Sequence, residues 1–130
     1  MIGLNGIINQ LYFDIDGTVV KSQSRVGNNA MSVLGKPLEK NVKVLLDLQK
    51  NGSKFVFTTA REKEVEEYTR ATLDNLGFKD YELLIGLPNA DRILINDFHN
   101  QNPYPRATAI NLKRDKDDLD QYLTLLKSGK

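Results

Sequence analysis

The sequence predicts an α/β fold, a central parallel sheet with helices on both faces, folded as a single domain over residues 1–130. Three observations carry this. Short runs rich in β-branched and aromatic residues alternate with helical patterns along the chain. The runs are apolar almost without interruption, as strands covered on both faces are. A length of 130 residues, 40% hydrophobic and 27% charged, suits one domain with a real core and argues against disorder.

The strand-like runs fall at 10–15, 54–58, 82–85, 92–95 and 107–112. The first helical pattern, 38–50, sets Val42, Leu45, Leu46 and Gln49 at helical offsets and ends at Asn51-Gly52, a stop signal. The second, 62–76, puts Val65, Tyr68, Thr72, Leu73 and Leu76 on one face, opens with acids and stops at Gly77. The third, 115–128, carries Leu119, Tyr122, Leu123, Leu125 and Leu126 behind an acidic first turn, the pattern of a helix docked on a core. Right-handed crossovers would link such strands, and ligands of such sheets bind outside the carboxyl ends of the strands.

Charge excludes several classes of partner. With 18 basic and 17 acidic side chains the net charge is +1, so no nucleic acid is expected. With 0 Cys there is no disulfide, thiolate nucleophile or zinc knuckle. Any metal must then be held by oxygen or by His99, the single histidine, which points to a hard cation. The apolar stretch 1–12 lacks a basic start and runs into Asp14 and Asp16, so neither a signal peptide nor a membrane span is expected, and a cytoplasmic location is.

Chemistry gathers at the predicted strand ends. In Leu11-Tyr12-Phe13-Asp14-Ile15-Asp16-Gly17-Thr18 the period of two throws Asp14 and Asp16 to one side and Ile15 to the other. Two carboxylates so close repel unless a cation or a shared proton holds them. The plainer alternative is a strand end closed by an Asx-turn. Two further ends are polar, however: Phe57 runs into Thr58-Thr59-Ala60-Arg61, and Ile95 runs into Asn96-Asp97. In a doubly wound sheet such ends converge on one crevice.

These residues resemble a known family, the haloacid dehalogenase-like phosphatases. Phe13-Asp14-Ile15-Asp16-Gly17-Thr18-Val19-Val20 is similar to that family's first motif, Phe57-Thr58-Thr59-Ala60-Arg61 to its second, and Ile93-Leu94-Ile95-Asn96-Asp97 to its fourth. The resemblance covers residues 10 to 112 and implies a three-layer Rossmann-like fold. It further implies that Asp14 is a nucleophile forming an aspartyl-phosphate and that Asp16 is the general acid and base. Asp14, the backbone carbonyl of Asp16, and Asp97 would hold Mg²⁺. Thr59, preferred to Thr58 because Thr-Ala-Arg matches the family's usual ending, would bind phosphate with Ala60 beside it. The likeness extends to small members associated with cell-surface polysaccharide synthesis, which implies a phosphorylated sugar as the small-molecule phosphomonoester substrate.

The resemblance breaks at the third motif, where Gly86-Leu87-Pro88 stands in place of a Gly-Lys-Pro segment and leaves Arg92 as the nearest phosphate-balancing cation. Asn96 also replaces one of the acids usual in the fourth motif. Arg61 and His99 are candidate substrate contacts; the alternatives are a helix-start ion pair for Arg61 and an incidental loop position for His99. The charged run 113–118 has the look of a metal or polyanion site, but the preferred reading is an N-cap with acids complementing the dipole of the last helix. About 35 residues separate Val20 from Phe55, much of them helical, so no cap domain is expected and the polar loop 21–37 reads as a small flap. An open crevice admits a large substrate or is closed by a neighbouring subunit of a homo-oligomer. The rival function is a catalytically silent phosphoryl-binding, regulatory or protein-interaction domain.

Overall fold

The computed structural model describes residues 10–22, 35–97 and 107–128. Three strands, β1 (Gln10–Asp14), β2 (Lys54–Thr58) and β3 (Glu82–Leu84), form a parallel sheet in the order β1-β2-β3. Between them lie α1 (Glu39–Lys50) and α2 (Glu66–Leu76), and α3 (Leu119–Ser128) closes the described chain. This is an α/β fold. No helix among the described residues is long and apolar enough to cross a membrane.

The register explains which residues became core. Phe13 pairs with Phe57 and Phe57 with Leu83, so these and Phe55 point to one face. There they meet Val42 and Leu45 of α1, Leu73 of α2, Phe78, and Leu119 and Leu123 of α3 in one cluster. Aromatic edges fit the rings together: Phe57 sits 5.1 Å from Phe78 and 5.4 Å from Tyr81 between centroids, both edge-on.

Helix ends follow local chemistry. Gly77, at φ +107°, closes α2 with its amide on the Asp74 carbonyl and the Phe78 amide on the Leu73 carbonyl. That is a Schellman turn, and the same two residues, Leu73 and Phe78, meet in the core. The acidic opening expected from residue 62 forms a 3₁₀ turn, Lys63–Val65, before α2 proper.

Two expected strands are corrected. The runs 92–95 and 107–112 do not join the sheet, and Ile93, Leu94 and Ile95 are 82%, 58% and 89% exposed. The parallel sheet of the described residues thus has three strands. The outward face of the sheet carries Tyr12 and Leu84, 53% and 46% exposed, while the side chains of all three helices join the phenylalanine face. Apolar patterning made these runs resemble strands, yet a run becomes a strand only where an edge receives it.

Candidate active site

The turn after β1 separates its acids from its apolar residues. The Ile15 carbonyl accepts the amides of Thr18, Val19 and Val20, and the Gly17 amide reaches the Val20 carbonyl at 2.7 Å. Gly17 takes φ +89°, which glycine adopts without strain. Ile15, Val19 and Val20 are driven into the core at 1%, 0% and 0% exposure. Asp14, last in β1, is left exposed, and Asp16 half-buried. The predicted alternation at positions 14, 15 and 16 is therefore the observed one.

The Asp14 carboxylate is bonded by the Ile15 amide but by no side chain among the described residues, and its pKa lies above the ordinary carboxylate value. Desolvation by the surrounding protein is the main cause, and the Asp16 charge adds to it. The Ile15 amide and the guanidinium charges of Arg92 and Arg114 act in the opposite direction.

Asp16 is held differently. Arg61 donates from Nε to Oδ2 at 2.9 Å and from Nη2 to Oδ1 at 2.8 Å, a two-pronged pair. The Arg61 side chain is 1% exposed and that of Asp16 27%. Arg61 is thus a buried cation clasping a carboxylate that water still reaches.

The strand-end threonines divide their work. The Thr58 hydroxyl, beside Asp14 in the register, donates to the Phe13 carbonyl at 3.1 Å. The Thr59 hydroxyl accepts the Arg61 amide at 3.1 Å and keeps its own proton to donate. Thr59 is 1% exposed, and its backbone is clamped between the Leu84 carbonyl at 3.0 Å and the Leu87 amide at 3.1 Å. Ala60, between the two anchored residues, is half-buried.

The structure brings Asp14, Asp16, Thr59, Ala60 and Arg61 together around the ends of β1 and β2 and sets the charge of Arg92 on Asp14. Asp97 stands at the end of the exposed segment 91–97. Among the described residues no group of three or more histidine, aspartate or glutamate side chains could hold a metal ion. Arg92 is exposed on the same segment and donates to the Ala90 carbonyl at 2.6 Å. His99 and most of the 21–37 loop lie outside the described residues.

Of two further residues at the site, one was not singled out from the sequence and the other only as part of the charged run 113–118. Asn41, 0% exposed, donates to the carbonyls of Thr18 at 2.9 Å and Lys116 at 3.1 Å and accepts the Leu119 amide at 2.9 Å. It pins the loop before α3 to the turn after β1. The second is Arg114 on that loop, whose Cγ would lie 3.2 Å from a Cβ at Gly17. Nothing local signals Asn41, and the charged run that holds Arg114 does not say where it lies, because the contacts join residues far apart along the chain. The charged run 113–118 was expected to cap α3; instead Asp117 caps α1, taking the Asn41 amide at 2.7 Å and the Lys40 amide at 3.1 Å. Compared with family models, curated proteins and solved structures, this chain matches none.

Proposed function

We propose that this chain is a phosphomonoester hydrolase of the haloacid dehalogenase-like type, without a cap, that works through an aspartyl-phosphate on Asp14. The observation that carries the reading is the carboxylate pair at the end of β1. Asp14 stands exposed and unclasped with two guanidinium charges acting on it, while Asp16 is fixed two residues away by Arg61.

An Asp14 oxygen attacks phosphorus, the ester P–O bond breaks, and the departing oxygen takes a proton from Asp16. Water then gives a proton to Asp16 as its oxygen attacks phosphorus. The acyl P–O bond breaks, inorganic phosphate leaves, and Asp14 is restored. Arg61, in contact with both Asp16 oxygens, orients the carboxyl that gives the proton in the first step and takes one in the second. The unused Thr59 proton would meet a phosphate oxygen, and Arg92 would balance phosphate charge.

Magnesium enters this reading through the likeness of the sequence motifs. Asp14, the Asp16 carbonyl and Asp97 would hold it and it would neutralise phosphate charge, and the steps above are written without it. The proposed substrate is a small-molecule phosphomonoester, a phosphorylated sugar or polysaccharide precursor, in the cytoplasm. Asp14→Asn should abolish hydrolysis of an aryl phosphate, assayed with and without Mg²⁺, while circular dichroism stays unchanged; equal turnover by that variant would overturn the assignment.

The engagement of both Asp16 oxygens by Arg61 favours a second reading, a catalytically silent phosphoryl-binding or protein-interaction domain. Phosphate binding with no turnover across a panel of phosphomonoesters would select it.

A further inference from the structure

The loop before α3 is built with unusual care for a surface segment. Asp115 is a non-glycine residue at φ +66°, a conformation that persists only where its surroundings impose it. Its carboxylate accepts the Ser22 amide at 2.6 Å and the Ser22 hydroxyl at 2.9 Å, across 93 residues of sequence. Its amide reaches the Gly17 carbonyl at 2.9 Å. The Lys116 amide closes the turn on the Lys113 carbonyl at 3.1 Å, and Asn41 and Asp117 tie the following residues down.

What this anchoring presents is Arg114. Its stem lies over Gly17, where a Cβ would sit 3.2 Å from its Cγ, so the turn that carries Asp14 and Asp16 has room for it because position 17 lacks a side chain. Arg114 is exposed, and among the described residues no carboxylate lies within ion-pair distance of it. Its stem over Gly17 puts it one residue on from Asp16 in the turn that follows Asp14. A cation on an anchored loop, bridged to no carboxylate and lying over the turn beside exposed Asp14, is the arrangement of an anion contact.

We infer that Arg114 is a substrate-binding residue, presented over Gly17 by the Asp115–Ser22 and Asn41 contacts so that its guanidinium takes the phosphate of the substrate. The inference rests on the phosphatase reading for the identity of the substrate and on the loop geometry for the contact. It supplies the cation that the Gly86-Leu87-Pro88 segment lacks, alongside Arg92.

The test measures binding of inorganic phosphate by calorimetry and aryl-phosphate turnover on the same preparations. Arg114→Ala should weaken phosphate binding about tenfold or more and raise KM rather than lower kcat, with an unchanged melting temperature. Arg114→Lys should recover part of the affinity, and Lys113→Ala, an exposed neighbour, none of the loss. Unchanged phosphate affinity in Arg114→Ala overturns the inference and leaves the phosphatase reading standing. Wild-type protein that binds phosphate through Arg114 but turns nothing over keeps the inference and removes the enzyme. Wild-type protein that does not bind phosphate removes the inference.

Discussion

Arg61 grips both oxygens of Asp16, at 2.9 and 2.8 Å, from a side chain that is 1% exposed. The partners are unequal, since the Asp16 side chain is 27% exposed and can return to water when released, whereas the guanidinium cannot. Removing the acid should therefore destabilise more than removing the base. Asp16→Ala is expected to cost about 3 kcal/mol, the lower end for a broken buried pair because water still reaches this one. Arg61→Met should cost less. Urea unfolding of the two variants checks the order.

Asn41 satisfies two carbonyls and one amide that no other side chain serves among the described residues. Asn41→Leu keeps the volume and strands these groups, so a loss of about 3 kcal/mol is expected. Asp117→Ala removes the cap that a distant loop provides to α1 and should cost about 1 kcal/mol. Denaturant midpoints of both variants measure this, and α1 fraying in hydrogen exchange should accompany Asp117→Ala alone.

Asp14 titrates above the ordinary carboxylate value, chiefly through desolvation. The folded protein then holds this proton more tightly than the unfolded chain does. Stability from this group falls as pH rises through the interval between its unfolded and folded pKa, and the penalty persists above it. Asp14→Asn should lack the penalty. Melting temperatures of variant and wild type should agree most closely in acid and diverge in favour of the variant towards neutral pH; the opposite trend would contradict the assigned environment.

Gly17 combines φ +89° with the stem of Arg114 3.2 Å from where a Cβ would lie. Gly17→Ala should cost about 1–2 kcal/mol from the backbone alone. It should also displace Arg114, so phosphate affinity should fall with stability, whereas Gly77→Ala, strained at φ +107° but remote from the site, should lower stability only. Thermal melts paired with phosphate titrations separate the two.

Much of the architecture was legible in one dimension. Alternation set Phe13, Phe55, Phe57 and Leu83 on the buried face, and Asn51-Gly52 and Gly77 stop α1 and α2 where expected. The candidate site was legible in part. Asp14, Asp16, Thr59 and Arg61 gather as their positions at strand ends suggested, because strand register is a local property multiplied by parallel pairing. The 92–95 run has strand chemistry without a strand partner, so the segment that ends in Asp97 is exposed.

The residues alone determined where apolar side chains recur, where glycine permits a turn, and that two acids flank Ile15 at the end of a buried strand. Which acid is clasped and which left open, that Asp117 caps α1 rather than α3, and that Arg114 lies over Gly17 were decided by tertiary structure. The reason is physical. Periodicity and turn preference act over a few residues and are written locally, whereas an ion pair or a cap needs two groups that only the folded chain makes neighbours.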